Sequence, residues 1–409
     1  MKLNDDLTTL NNWFERFNEI GKDDIGSGVT RMGYSREEDE MHKMFKNICN
    51  ELGFYAESDS VGNTFASLTP NEIRKCYLIG SHLDSVPNGG RYDGVSGVLG
   101  GLLILKWIKE NNLNIPVKVA AFRCEESSAF EKATVGSGLI TGKITEDQLK
   151  NLKGIREESL YDILKAKGYL KNDFRIKNLY NYIEIHIEQG RVLFDKNIQA
   201  GIVTAIACSK RFRLEICGRQ DHSGATPMFM RKDALIAASE VIIEIEKLGK
   251  EESKNSTVAT VGEIYETPNA INVVPGFVQL GIDIRGIKTS SINLLISKLK
   301  NIIKEIMDRR GVSYKLIPIS SGEPVELSSK VVEGLYKAAN KLNIKSIKMP
   351  SGAGHDAMEF ADITQTGMVF IPCRKRISHN PDEEIELNDL YNGCKIVYEY
   401  IKESFKCYL

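Results

Sequence analysis

A chain of 409 residues is longer than one ordinary hydrophobic core supports, so two domains are expected. With 42% hydrophobic and 27% charged residues and a formal net charge of −1, it reads as a soluble globular protein with no electrostatic reason to bind nucleic acid or an anionic membrane. No apolar run approaches the roughly 20 residues that span a bilayer, and the polar opening MKLNDDLTTLNNWFERFNEIG lacks the apolar stretch of a secretion signal, so a cytoplasmic location is expected.

Residues 3–21 and 36–53 carry the apolar spacing of amphipathic helices. KCYLIGSHLDSV holds a short apolar run that stops at His82, and GVLGGLLILKWIKENN reads as a helix leaving a Gly-rich turn. IPVKVAAFRCEES is a second apolar strand, ending at Glu125. Strands without alternation, separated by helices, predict a mostly parallel sheet covered on both faces. From about residue 209 the pattern changes. RFRLEICG, a long helix over 231–251, STVATVGEIYE, GFVQLGIDIRG, a second helix over 290–311 and VSYKLIPIS follow one another. That order, β-α-β-β-α-β, is ferredoxin-like. The expected fold class is therefore α/β: a catalytic domain over 1–209 and 323–409 with a mixed, mostly parallel sheet, interrupted by an α+β unit over 210–322. The eight cysteines form no C-x-x-C pair, and those in apolar strands, Cys76 and Cys217 among them, are expected to be buried small hydrophobes.

Five of the six histidines lie at short polar or Gly-rich junctions: GSHLDS (His82), EIHIEQG (His186), DHSGATP (His222), GAGHDAM (His355) and ISHNPDE (His379). Strand ends in α/β sheets are where sites form. The sixth, His42, lies in a charged helical stretch and is expected to be solvated. In YIEIHIEQG, Glu184, His186 and Glu188 share one face of a strand, which is ordinarily an edge strand with a wet face. An imidazole at its end could instead meet His82 or Asp93. Cysteine is absent from all five junctions, and a site of His and carboxylate suits zinc or a similar divalent metal. CEES supplies adjacent acids, Glu125 and Glu126, after a buried strand. One can bind a metal while the other takes a proton from water, the division hydrolysis needs.

The segments HLDSVPNGGRYDGVSG, EES, IEIHIEQG, DHSGATPM, NAINVVPG, DIRG, SGAGHDAM and SHNPDE, in order from residue 80 to 383, resemble the hydantoinase/carbamoylase branch of the M20 metallohydrolases. The resemblance implies a catalytic domain interrupted by a lid that also forms a homodimer contact. It implies two divalent ions (Zn²⁺, or Mn²⁺, Co²⁺ or Ni²⁺) bridged by Asp93, with His82 and His186 completing one site and Glu126 and His379 the other. Glu125 would be the general base, and Asp84 would orient the His82 imidazole from behind. His222, Asn272 and Arg285 of the lid would close over the substrate, with Arg285 gripping its carboxylate and His222 donated across the dimer. Lys210, Gln189 and the backbone at Gly354 complete the implied substrate contacts. Peptidases of the superfamily often carry a carboxylate where His186 stands, so HIEQG points towards ureido acids: an N-carbamoyl-L-amino acid, with allantoate as the alternative. Ala129 stands where the branch commonly has Arg, so the pocket has lost a cation. Domain crossings at 203–211 and 319–326 are expected to act as hinges.

Overall fold

Seven consecutive residues, Cys76–His82, are buried, as expected of a strand covered on both faces. A computed structural model describes residues 3–23, 27–70, 72–154, 157–170, 175–375 and 377–407. Its strands in chain order are β1 (Tyr55–Ser58), β2 (Thr64–Ser67), β3 (Cys76–His82), β4 (Val117–Phe122), β5 (Leu179–Ile187), β6 (Ala200–Ile206), β7 (Cys208–Cys217), β8 (Asp221–His222), β9 (Thr257–Thr267), β10 (Val273–Val274), β11 (Phe277–Gly286), β12 (Ser313–Ser321), β13 (Val325–Glu326), β14 (Ser346–Ser351) and β15 (Gln365–Ile371). The chain divides into two units, Met1–Thr204 with Glu326–Leu409, and Ala205–Val325. The divisions lie at 204/205 and 325/326, where the sequence suggested 209/210 and 322/323.

The first unit is built on a nine-stranded sheet in the order β1-β2-β4-β3-β5-β15-β6-β13, with β14 beside β6. Its middle is parallel, β4-β3-β5-β15, and its margins turn antiparallel at β2 and β6. All four parallel strands therefore end at the same edge, at Phe122, His82, Ile187 and Ile371. That edge is where an open α/β sheet offers its loops to a ligand. The helix Val95–Glu110 is buried on nearly every side, and its Trp107 meets Tyr391 and Tyr398 of helix Leu387–Lys406 edge-on, with centroids at 5.4 and 5.5 Å. Buried Asp6 accepts the indole N–H of Trp107 at 2.9 Å.

In the second unit, strand order β12-β7-β11-β9 is antiparallel throughout. β11 alternates half-buried and buried residues along its whole length, the period of a sheet covered on one face. Leu280 and Ile282 pack with Val241 and Leu299 of helices Ala234–Glu252 and Thr289–Arg310.

Two expectations are corrected. β5 is an interior strand between β3 and β15, so Glu184, His186 and Glu188 are buried and not on a wet face. Cys217 is exposed, because it closes β7 on the outward-pointing side of the alternation. The two unit boundaries, 204/205 and 325/326, fall inside the crossings expected at 203–211 and 319–326, with strand on either side of Ala207 at the first. β1 and β2, four residues each, are additions that periodicity over so short a span could not supply.

Candidate metal centre

Each parallel strand delivers a ligand-bearing side chain at its carboxyl end: β3 gives His82, β4 leads into Glu125 and Glu126, β5 gives His186, and the segment after β15 gives His379. Asp93, in the turn before helix Val95–Glu110, stands at their centre. Its Oδ1 lies 2.9 Å from His186 Nε2 and 3.7 Å from His82 Nε2, and its Oδ2 lies 3.3 Å from His379 Nε2. His379 Nε2 is also 2.9 Å from Glu126 Oε1. Two trios able to hold a metal thus share one carboxylate: His82, Asp93 and His186, and Asp93, Glu126 and His379.

The protons say what is missing between them. Nδ1 of His82 reaches the Asp84 carbonyl at 3.1 Å, and Nδ1 of His186 the Ile187 carbonyl at 3.0 Å. A carbonyl only accepts, so both Nδ1 atoms carry hydrogen and both neutral rings turn a bare Nε2 towards Asp93. Buried Asp93 Oδ1 and His186 Nε2 have no hydrogen-bond partner. Two lone pairs 2.9 Å apart and out of water repel unless a cation lies against them. Imidazole and carboxylate donors without sulfur fit a divalent ion of the zinc or manganese kind. Without one, the carboxylates draw protons instead. Hydrogen bonds to Asp93 and Glu126 push His379 up to about 11. Burial opposes charge on His82, but Asp84 and Asp93 outweigh it and raise the imidazole well above its ordinary value. A third trio, Glu184, His186 and His355, is also close. Glu184 there already accepts from Ser81 Oγ at 3.0 Å and Ala357 N–H at 2.9 Å, which makes it a satisfied buried acid.

The paired acids are held by their backbone. The two oxygens of buried Asp84 accept the N–H groups of Glu125 and Glu126, at 2.9 and 3.0 Å. The preceding N–H, of Cys124, goes to Glu38 Oε1 at 2.8 Å, while Glu38 Oε2 takes Tyr34 N–H at 2.6 Å and Arg123 Nη1 at 2.8 Å. Three successive amides are thus fixed by two buried carboxylates. Cys124 has φ +52° and His379 φ +55°, left-handed values that cost a side-chain-bearing residue about 1–2 kcal/mol each. Glu125 itself is buried, which pushes its carboxyl well above the usual range, with His82 opposing and Glu126 adding. Its Oε2 is 3.9 Å from His82 Nε2.

Glycine makes the packing possible. Gly94 has φ +66°, and a Cβ there would lie 2.6 Å from three atoms of the His82 ring. A Cβ on Gly90 would sit 2.2 Å from the Glu383 carboxyl carbon. Glu383 uses that room to accept Tyr92 and Asp93 N–H groups at 2.8 and 3.0 Å, and Ser378 Oγ is 3.0 Å from both Asp93 Oδ2 and Glu383 Oε2.

Of the other expected residues, Gln189 turns its amide nitrogen to Asp93 Oδ2 at 3.1 Å. Gly354 is exposed beside His355, whose buried ring meets His186 edge-on at 4.5 Å. Ala129 packs among Tyr34, Cys124 and Phe130. In the second unit, His222 and Asn272 are brought together, since β8 pairs with β10 and the Ser223 N–H bonds the Asn272 carbonyl at 3.1 Å. Arg285 and Lys210 are not. Lys210 faces Ile284 and Arg285 faces Ser209, so they occupy opposite faces of the sheet. Lys210 binds Glu323 at 2.6 Å and Arg285 binds Asp283 at 2.9 Å. His42 is not solvated but buried, with Nδ1 2.9 Å from Thr64 Oγ1. The residues that motif reading missed are Glu38, Ser378 and Glu383.

Residues 78–403 match the family model described as Peptidase family M20/M25/M40. The N-carbamoyl-L-amino-acid amidohydrolase of Pseudomonas sp. (strain NS671) is 37% identical over 399 residues, covering 95% of both chains. The allantoate amidohydrolase of Escherichia coli (strain K12) is 33% identical over 390 residues, covering 94% of this chain and 93% of that one. A hydantoinase/carbamoylase family amidase from Burkholderia multivorans superposes with a TM-score of 0.89 at 29% identity, covering 97% of both chains.

Proposed function

Because the chain belongs to peptidase family M20/M25/M40, we propose that it hydrolyses the linear amide C–N bond of a ureido acid, an N-carbamoyl-L-amino acid first, releasing amino acid, carbon dioxide and ammonia. The observation that carries the reading is Asp93, whose two oxygens face separate histidines across two trios that share it. His82, Asp93 and His186 would hold one divalent ion, and Asp93, Glu126 and His379 a second. When bound, such ions polarise a carbonyl and make water a stronger acid.

The chain's own residues divide the remaining work. Asp84 fixes the amides of Glu125 and Glu126 so that the two carboxylates take different tasks. Glu125 removes a proton from the attacking water and returns it to the leaving nitrogen. Burial, which favours its protonated form, suits the second half of that exchange. Arg285 presents a planar fork to the substrate carboxylate, and His222 and Asn272 contact the scissile group. In this reading the second unit is a lid and dimer contact with a ferredoxin-like order of elements, the subunits pair, and the enzyme is cytoplasmic. The relative named allantoate amidohydrolase supports allantoate as the second substrate, since it also sets a carboxylate beside ureido groups.

The test is an ammonia assay of purified protein loaded with Mn²⁺, Co²⁺ or Zn²⁺ against several N-carbamoyl-L-amino acids, allantoate and dipeptides. Turnover of an N-carbamoyl compound is expected. Dipeptide cleavage with silence on every ureido acid overturns the proposal. Mass measurement in solution checks the dimer.

A further inference from the structure

Away from the candidate metal centre, helix Arg36–Glu51 and Arg123 border an open cavity of about 310 Å³. Asp39, His42, Lys43, Lys46, Arg123 and Lys167 are among the residues that line it. Its charges do not balance. Asp39 is already shared by Arg123 Nη1 at 2.8 Å and by Lys167 Nζ, and Glu38 answers only Arg123. Among the described residues, neither Lys43 nor Lys46 has an ion-pair or hydrogen-bond partner. Four cations face two carboxylates, one of them buried behind Arg123.

Two wall residues are themselves buried: Arg123 and His42 are each 3% exposed. Nε2 of His42 has no partner. Nδ1 of the same ring lies 2.9 Å from Thr64 Oγ1, and in the tautomer that takes the Thr64 hydrogen there, Nε2 carries a hydrogen that lacks an acceptor. A solvated stripe of lysines explains Lys43 and Lys46, one turn apart, but not the orphaned imidazole beside them. Burial and the neighbouring Arg123 lower the proton affinity of Lys46, which places like charges within reach of one another.

We infer that this cavity is a binding site for a phosphate-type oxyanion. The ammonium groups of Lys43, Lys46 and Lys167 around one space suit an ion with acceptors in every direction better than a planar carboxylate. Occupancy bears on the metal centre through covalent neighbours. Arg123 precedes Cys124, whose N–H Glu38 holds, and Glu125 follows. That coupling rests on the function proposed above, whereas the binding does not.

The test is calorimetric titration of inorganic phosphate into the metal-loaded full chain at low ionic strength. Saturable binding is expected, weakened at least 10-fold in the Lys43→Gln/Lys46→Gln double variant, since Gln is a good helix former at both positions. Asp39→Asn, which removes the competing carboxylate, is expected to bind more tightly than wild type. Phenyl phosphate binding as well as phosphate assigns the phosphate end of a larger molecule, and phosphate alone assigns the free ion. No saturable binding, or wild-type affinity in the double variant, which would put the ion elsewhere, overturns the inference.

Discussion

Gly94→Ala adds one carbon and should disarm one half of the metal centre. The new Cβ falls 2.6 Å from Cδ2, Cε1 and Nδ1 of His82, against 3.4 Å for ordinary contact. The ring must therefore retreat by about 0.8 Å, several times the roughly 0.2 Å by which ligand distances vary in a well-formed site. It cannot do so freely, because Nδ1 is tied to the Asp84 carbonyl at 3.1 Å. Overpacking costs about 1–3 kcal/mol, and alanine at φ +66° about 1–2 kcal/mol more. A displaced ligand should weaken the first site about 10–100-fold. The trio of Asp93, Glu126 and His379 is not touched by the new carbon. If the two proposed ions are loaded, metal analysis after dialysis should fall from two per chain towards one, and turnover should fall with it. Gly262→Ala is the control, since a Cβ there meets nothing within 4 Å. If Gly94→Ala keeps two tight ions and full turnover, His82 is not a ligand and the reasoning fails.

Glu125→Gln should retain metal and lose turnover by about 10²-fold or more, which paired metal analysis and ammonia release will show. Asp84→Asn must set an amide NH₂ against the N–H of Glu125 or Glu126. It should cost about 1–3 kcal/mol in thermal unfolding and slow turnover about 10-fold or more. Burial pushes Glu38 up to about 7 against an opposing Arg123, so between its ordinary value and pH 7 the folded chain binds the extra proton. Stability should fall as pH rises through that window, by roughly 3 kcal/mol at most, and Glu38→Gln should flatten the slope in unfolding experiments at pH 4.5 to 7.

How far the sequence reached depended on where each residue finds its partner. His82, His186 and His379 stand out because each interrupts or follows an apolar strand, and a polar ring there is conspicuous. The second unit was legible element by element, since β11 alternates without fault and its helices are long. Glu38 was hidden by its neighbours. Glu37, Glu38 and Asp39 read as one acidic turn, and Ser35 three residues earlier offers a local capping role. The Ser35 side chain does accept the Glu38 N–H at 3.2 Å, but the Glu38 carboxylate goes to Tyr34, Cys124 and Arg123. A signal existed. Glu38, Met41, His42, Phe45, Ile48 and Cys49 fall on one helical face and all are buried, so two polar residues on an apolar stripe could have been flagged. Lys210 and Arg285 shared a motif-based role, yet strand pairing, invisible in a single sequence, puts them on opposite faces.

The latch of Glu383 on the Tyr92 N–H joins residues 291 positions apart, and Ser378 reaches Asp93 across 285. During synthesis, then, most of the parallel strands emerge from the ribosome long before the last ligand does. A nascent chain that has not yet reached His379 owns only the first of the two trios, and its Asp93 turn lacks the acid that pins it. Fragments cut short before Ser378 should accordingly emerge without the trio of Asp93, Glu126 and His379.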